Sequence, residues 1–322
     1  VSAGLKSSNI HIADPGEIPR GMFRPRIFLN LIVGLMAGLL LGVAAAFVTE
    51  HVDDTLKTPD QVESFLSIPS LGLVPSMAGD GDHRTMAAKS LQSRSLLPHS
   101  DVTPRVWEAY RALRTSILLS HSGQPPRTML VTSSFAKEGK TTTVLNTGIV
   151  LAQTGARTLL IDLDMRKPNL AKRLGLENEQ GMSSFLSGNA DLSSIISKTA
   201  IPNLSCVAAG PTPPNPAELT GSERMLAGID LLQQYFKYIV IDSPPILSVT
   251  DPLVLSPRVD GVILVIKGGK TPKGAVQKSS SLLQDVGAKI LGAIVNDVDV
   301  SSSEYYYYSK AYYDYGYYES TG

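Results

Sequence analysis

Residues 129–143 read MLVTSSFAKEGKTTT, and this stretch decides the fold. An apolar run is followed by a small polar turn, by the tripeptide Gly139-Lys140-Thr141, and by an apolar stretch that continues to Gly155. Strand, turn and helix in this order are typical of a P-loop, where consecutive backbone N–H groups surround a phosphate at a helix N-terminus. Ser134 replaces the first glycine of the strict pattern, so the motif needs support from the rest of the chain.

A P-loop gives its residues specific tasks. Lys140 adds a positive charge beside the terminal phosphates of a nucleotide, and the Thr141 hydroxyl can ligate Mg²⁺. The alternative is a chance Gly-Lys-Thr tripeptide in an ordinary turn. The predicted nucleotide-binding residues of the loop are Ser134, Lys137, Glu138, Gly139, Lys140, Thr141 and Thr142.

Two further apolar runs end in carboxylates. One leads into Asp162 and Asp164, whose side chains would project to the same side if the strand stays extended. The other ends in Asp242, followed by Ser, Pro and Pro. Because ligands of open α/β sheets bind at the carboxyl ends of the strands, we expect these groups beside the P-loop, although strand-end turns are the alternative. The predicted metal-binding residues are Thr141, Asp162 and Asp242, and the predicted catalytic residues are Lys140, Asp162 and Asp164, with Asp162 favoured as general base.

The wider pattern predicts the fold class. From about Pro104 to Val300, buried runs alternate with helix-length segments. The runs are Met129–Thr132, Thr158–Ile161, Leu204–Ala208, Tyr238–Ile241, Gly261–Ile266 and Ile290–Val295. This alternation predicts an α/β fold similar to that of P-loop NTPases, with a mostly parallel sheet and helices on both faces.

Net charge and one uncharged stretch indicate which partners and which location to expect. The 322 residues carry 29 Lys and Arg against 29 Asp and Glu, so bulk charge does not support a nucleic-acid partner. The 23 residues Ile27–Thr49 contain no charge. As a helix they would reach roughly 35 Å, enough for a bilayer core of about 30 Å, so we expect one transmembrane helix rather than a buried globular one.

The last 22 residues hold nine of the twelve tyrosines and form a separate low-complexity tail, which we expect to be disordered. Composition alone also allows an adhesive segment with no substrate role. The tail tyrosines are Tyr305, Tyr306, Tyr307, Tyr308, Tyr312, Tyr313, Tyr315, Tyr317 and Tyr318.

Taken together, the P-loop, the Asp162-x-Asp164-x-Arg166 strand, the Asp242-Ser-Pro-Pro strand and the tyrosine tail resemble the bacterial tyrosine kinase family, in the form fused to a membrane polysaccharide co-polymerase. The resemblance implies a kinase that uses ATP and Mg²⁺ and phosphorylates the C-terminal tyrosines of its own kind in trans. It also implies that the segment before the span is the end of the co-polymerase region, and that the span is its second transmembrane helix.

The resemblance implies roles for further residues. Glu108, Arg111 and Arg114 match the element by which these kinases associate into rings, although a solvated helix face is the plain alternative. Asn296 would face the adenine of the nucleotide. Lys137 stands where the family often has glycine, which leaves the conformation of the loop open.

The same resemblance implies a division of the chain and a setting for it. Residues 1–26 would be extracytoplasmic, 27–49 transmembrane, 50–103 a juxtamembrane segment and linker, 104–300 the kinase domain, and 301–322 the phosphorylated tail. The expected location is the bacterial inner membrane with the kinase domain in the cytoplasm, because ATP is cytosolic. The expected partners are further copies of the chain, the polysaccharide export and polymerisation machinery, and a protein tyrosine phosphatase, but not nucleic acid.

Two other functions fit the residues. One is a membrane-attached P-loop ATPase of the partitioning or positioning type, but many of that group carry lysine at the second motif position, where this chain has Phe135. The other is a structural co-polymerase that holds nucleotide as a fixed ligand. The fate of labelled ATP would distinguish the three.

Overall fold

The computed structural model describes residues 26–52, 54–76, 104–120 and 123–299. It divides the chain into two compact units, Val1–Asp54 and Thr55–Gly322. The predicted segment 1–26 apart from Arg26, the linker residues 77–103 and the tyrosine tail 301–322 lie outside the described residues.

The first unit contains helix α1, Ile27–Val52, which ends at Val52 rather than at the expected Thr49. Within the described ranges, α1 is the one helix long and apolar enough to cross a membrane, over Ile27–Ala45. Its large apolar side chains, such as Phe28 and Leu35, are exposed, whereas a helix in a protein core would bury them. These properties agree with the predicted transmembrane helix.

The second unit is built on an eight-stranded sheet. Its strands are β1 (Ser70–Pro75), β2 (Thr128–Ser133), β3 (Thr158–Asp162), β4 (Ile196–Lys198), β5 (Leu204–Val207), β6 (Tyr238–Asp242), β7 (Gly261–Lys267) and β8 (Ile290–Val298). They lie in the order β1-β8-β7-β2-β6-β3-β5-β4, and every neighbouring pair is parallel except β4 with β5. The predicted mostly parallel sheet is confirmed, and all six predicted runs are strands.

Helices cover both faces of this sheet. They are α2 (Pro59–Leu66), α3 (Pro104–Leu119), α4 (Lys140–Ala152), α5 (Leu170–Leu174), α6 (Met182–Leu186), α7 (Pro216–Thr220), α8 (Glu223–Tyr235), α9 (Asp251–Leu255) and α10 (Lys273–Asp285). Side chains alternate between two cores along each strand: Met129 and Val131 pack with α3 and α4, whereas Leu130 packs with α6 and α8. Burial on both faces explains why the strands read as continuous apolar runs.

The structure corrects the predicted start of this domain at residue 104. Leu56 is fully buried, and β1 pairs with β8 as an edge strand. The two backbones approach closely at Gly292, where a Cβ atom would lie 2.5 Å from the Pro69 carbonyl oxygen. Residues from Thr55 to Ser76 therefore belong to the α/β domain rather than to a juxtamembrane linker.

The sheet order brings the predicted site motifs together. Strands β2, β6 and β3 are neighbours, and Asp162 pairs directly with Asp242 in their register. Val131, two residues before the end of β2, pairs with Asp242 from the other side. The P-loop and the carboxylates therefore meet at the carboxyl edge of three adjacent strands.

Candidate nucleotide-binding site

The P-loop connects β2 to α4 through two residues with left-handed backbone conformations. Gly139 has φ 101° directly before the helix, and Lys137 has φ 67°. For a residue with a side chain the left-handed conformation costs about 1–2 kcal/mol, whereas glycine adopts it freely. The backbone conformation at position 137 is therefore one that glycine adopts more easily, and the lysine found there is strained.

Asn296 of β8 supports the loop from behind. Its Nδ2 donates to the Glu138 carbonyl oxygen at 2.9 Å, and a Cβ atom at Gly139 would lie 1.9 Å from that same nitrogen. The side chain is only 8% exposed and is not part of the cavity wall described below. Asn296 therefore contacts the loop backbone, and its predicted contact with adenine stays a prediction.

Glu138 also points into the protein. Its carboxylate accepts a hydrogen bond from the Phe135 backbone N–H at 2.8 Å and another from the Thr271 hydroxyl. Burial raises the pKa of the Glu138 carboxyl above its ordinary value, and these donors oppose that rise. The Glu138 side chain therefore holds the loop in shape and does not line the cavity described below.

Ser134 attaches the start of the loop to α10. The Ser279 hydroxyl donates to the Ser134 hydroxyl oxygen at 2.9 Å, and Ser134 in turn reaches the Ala275 carbonyl oxygen at 3.5 Å. Ser134 is fully buried. The residue that replaces the first glycine of the motif therefore fixes the loop to a helix rather than presenting its hydroxyl to a ligand.

A cavity of about 520 Å³ opens in front of the loop, within the size range of small-molecule sites. Five of the predicted nucleotide-binding residues line it, together with Asp164, Arg166, Arg173 and the Pro244–Pro245 turn. The five are Lys137, Gly139, Lys140, Thr141 and Thr142. A parallel-sheet edge, a helix N-terminus and several cations therefore face one space, which suits a polyphosphate.

Asp242 lies at the base of this site with one unsatisfied oxygen. It is 1% exposed, the Thr141 side chain lies against its carboxylate, and its Oδ1 is buried without a hydrogen-bond partner. Burial and the adjacent negative charge of Asp162 raise the pKa of the Asp242 carboxyl to about 8. A bound cation would remove this cost, so Thr141 and Asp242 fit Mg²⁺.

The metal would still need oxygens from a ligand. In the part of the chain that the structure describes, no group of three or more His, Cys, Asp or Glu residues forms a protein-only metal site. Mg²⁺ commonly binds through one or two protein ligands, waters and the phosphates of its nucleotide. The residues present agree with that mode of binding.

Asp162 and Asp164 have different surroundings. Asp162 is fully buried and accepts three backbone N–H groups, from Asp164 at 3.1 Å, Asn169 at 3.1 Å and Leu170 at 3.0 Å. Burial nevertheless raises the pKa of its carboxyl to about 6. Asp164 lines the cavity and accepts one hydrogen bond, from the Lys167 backbone N–H at 3.0 Å.

The condition for the expected same-side arrangement is not met, because β3 ends at Asp162 and the chain then turns around that side chain. The preference for Asp162 as general base stays a prediction. The Asp162 oxygens accept from backbone donors beneath the surface, whereas Asp164 is the carboxylate that lines the cavity.

Sequence reasoning missed two contacts at this site. Arg166 donates to both oxygens of Asp251, at 3.2 and 3.3 Å, and Arg173 of α5 donates to the Thr142 hydroxyl at 2.9 Å. Asp251 is 85 residues from its partner in the chain. Neither pair stands in a local motif, so no pattern in the sequence could have paired them.

The predicted association residues lie on α3. Glu108 and Arg111 form an exposed ion pair at 3.9 Å, and Arg111 lies over the Trp107 ring, 5.5 Å from its centroid. Arg114 instead donates to the Val150 carbonyl oxygen of α4 at 3.3 Å. Glu108 and Arg111 are thus available at the surface, while Arg114 contributes to packing within the domain.

Known proteins resemble this chain in sequence and structure. An AAA domain family matches residues 136–286. The putative tyrosine-protein kinase CapB of Staphylococcus aureus is 37% identical over 227 residues, which cover 70% of this chain and 100% of CapB. The tyrosine-protein kinase wzc of Salmonella typhi is 29% identical over 316 residues, which cover 97% of this chain but only 43% of that relative.

The fold agrees with these matches. The solved kinase domain of the Escherichia coli tyrosine kinase ETK superposes with a TM-score of 0.67 and 26% identity. The superposition covers 77% of this chain and 97% of that domain. Sequence and fold therefore point to the same set of relatives.

Proposed function

The chain belongs to the bacterial tyrosine-protein kinases, and from this premise we propose that it transfers the γ-phosphoryl group of ATP to tyrosines of its own kind. One observation carries the proposal. Lys140, Thr141 and Asp164 line one cavity, the buried Asp242 carboxylate contacts the Thr141 side chain, and residues 301–322 contain nine tyrosines. Phosphoryl transfer needs mainly positioning and charge stabilisation, which these groups can supply.

Lys140 and the loop N–H groups would hold the phosphates at the start of α4. Thr141 and Asp242 would hold Mg²⁺, which when bound neutralises charge on the phosphates. The buried, unpartnered Oδ1 of Asp242 supports this assignment. Glu138, Ser134 and Asn296 keep the loop in shape from behind.

Asp164 is the proposed general base. A tyrosine hydroxyl has an ordinary pKa of about 10, so its attack benefits from a neighbouring proton acceptor. Asp164 faces the cavity and has one oxygen engaged by Lys167 N–H. Asp162 acts in this proposal through the turn that its carboxylate stabilises, which positions Asp164.

The proposed acceptors are the tail tyrosines 305–308, 312, 313, 315, 317 and 318 of neighbouring copies. The exposed Glu108–Arg111 pair supports association through α3. In the proposed ring the tail of one copy reaches the site of the next, since 22 residues can span several nanometres when extended.

The chain is proposed to act at the bacterial inner membrane, with α1 as the span and the α/β domain in the cytoplasm where ATP is available. Within the described residues α1 meets the length and hydropathy needed. We assign it to polysaccharide polymerisation and export, with a protein tyrosine phosphatase to reverse the reaction. The longer relatives carry sequence outside the matched part, so these partners belong to the proposal.

A mixing experiment tests transfer in trans. A Lys140→Met chain with an intact tail is incubated with labelled Mg-ATP and a tagged chain that has Lys140 but carries Phe at all nine tail tyrosines. We expect label on the tail of the Lys140→Met chain. Labelling of the wild type alone, with none on the Lys140→Met chain in the mixture, would contradict transfer in trans, and no tyrosine label in any sample would overturn the kinase assignment.

A further inference from the structure

Arg173 is a cation that faces the cavity in front of the P-loop. It lies on α5, lines the cavity, and donates from Nη1 to the Thr142 hydroxyl at 2.9 Å. Among the residues that the structure describes, no carboxylate lies within ion-pair distance of it. Arg166, in the same wall, is instead held by both oxygens of Asp251.

This arrangement has an energetic consequence. The Arg173 side chain is partly buried, and burial lowers the pKa of its guanidinium, with Asp242 and Tyr110 opposing that effect. A guanidinium carries five N–H donors, of which the Thr142 hydroxyl takes one. A partly buried cation is stabilised by an anion that enters its cavity and accepts from its N–H donors.

The position of Thr142 identifies the anion. Thr142 is the third residue of α4, directly after Thr141, and lines the same cavity. The N-terminus of α4 is where the phosphates of a nucleotide bind in the proposed function. Arg173 is therefore beside the phosphate site, on the Thr142 side of the helix rather than within the loop.

We infer that Arg173 is an additional phosphate ligand for the part of the nucleotide that ADP and ATP share. The inference rests on the proposed function only for the identity of the nucleotide. Because the contact is the same before and during transfer, Arg173 strengthens binding of both nucleotides and does not accelerate the chemical step. A purely structural alternative is that Arg173 joins α5 to α4 through its hydrogen bond to Thr142.

Affinity for Mg-ADP tests this inference without any phosphorylation. Isothermal titration of the full chain in detergent is compared for the wild type and for Arg173→Ala, Arg173→Lys and Arg173→Gln. Lys172→Ala is the matched control, since Lys172 neighbours Arg173 on α5 but is exposed and does not line the cavity. Because Arg173→Ala removes a charged hydrogen bond to the phosphate, we expect its affinity for Mg-ADP to fall about 10- to 100-fold.

The two conservative variants separate charge from hydrogen bonding. Arg173→Lys keeps the charge and should retain more affinity than Arg173→Gln, which keeps donors toward Thr142 but is neutral. Equal affinity of Arg173→Ala and Lys172→Ala would overturn the inference, and so would full affinity of Arg173→Gln. Kinetics give a second readout: the KM for ATP should rise in Arg173→Ala while kcat stays near the wild-type value.

The outcomes separate this inference from the kinase proposal. Charge-dependent Mg-ADP binding in a chain that labels no tyrosine would support the role of Arg173 and overturn the kinase assignment. Tyrosine labelling with Mg-ADP affinity independent of Arg173 would support the kinase assignment and overturn the role of Arg173.

Discussion

Replacing Asn296 with Ala tests whether this residue supports the loop or contacts the base. The substitution removes the donor to the Glu138 carbonyl oxygen at 2.9 Å and leaves that acceptor unsatisfied in the interior. A buried group left without its partner costs about 1–3 kcal/mol. For a domain of this size, 2 kcal/mol lowers Tm by roughly 4–8 °C.

The assay compares the melting of the nucleotide-free chain with the KM values for ATP and GTP. A support role predicts a lower Tm without nucleotide and a rise in KM of similar size for both nucleotides, because the loop contacts phosphates that the two share. Asn189→Ala is the matched control: its side chain is exposed, and a surface change of this kind stays within about 0.5 kcal/mol. An unchanged Tm together with a rise in KM for ATP but not for GTP would contradict the support role and favour the adenine contact.

Four further predictions concern catalysis, stability and association. Lys140→Met should abolish tyrosine phosphorylation and greatly weaken Mg-ATP binding, measured by phosphotyrosine detection and titration. Asp164→Asn should lose most phosphoryl transfer but keep Mg-ADP affinity, whereas Asp162→Asn should lower the free energy of unfolding by about 1–3 kcal/mol, since its amide N–H group would face backbone donors. Glu108→Ala with Arg111→Ala should shift the detergent-solubilised chain to smaller species by light scattering at unchanged Tm; wild-type mass would favour a simple solvated helix face.

Much of the fold could be predicted from the sequence, because strands that are buried on both faces have continuous apolar sequences. All six apolar runs became strands, and three of them carry the site at their carboxyl ends. Strand β1 was missed because Gly72 interrupts its apolar residues, it ends in proline and it precedes a segment rich in polar residues. Its pairing with β8 depends on contacts across more than 200 residues, which no local pattern encodes.

The site was predicted by residue type but less well by orientation. Lys140, Thr141 and Asp164 line the cavity as expected, because motif spacing fixes which residues follow a strand. Glu138 and Asn296 turn away from it, and their partners lie on other elements of the fold. The direction of a side chain is decided by such distant partners, so spacing alone could not supply it.

The fate of the γ-phosphate distinguishes a tyrosine kinase from the two other functions. The full chain is incubated with Mg²⁺ and γ-labelled ATP, and label is measured on tyrosine and as free phosphate. The account predicts labelled tyrosine in the tail 301–322, lost both in Lys140→Met and when all nine tail tyrosines are Phe. Free phosphate without phosphotyrosine would contradict it in favour of a positioning ATPase, and intact ATP that remains bound would contradict it in favour of a structural co-polymerase.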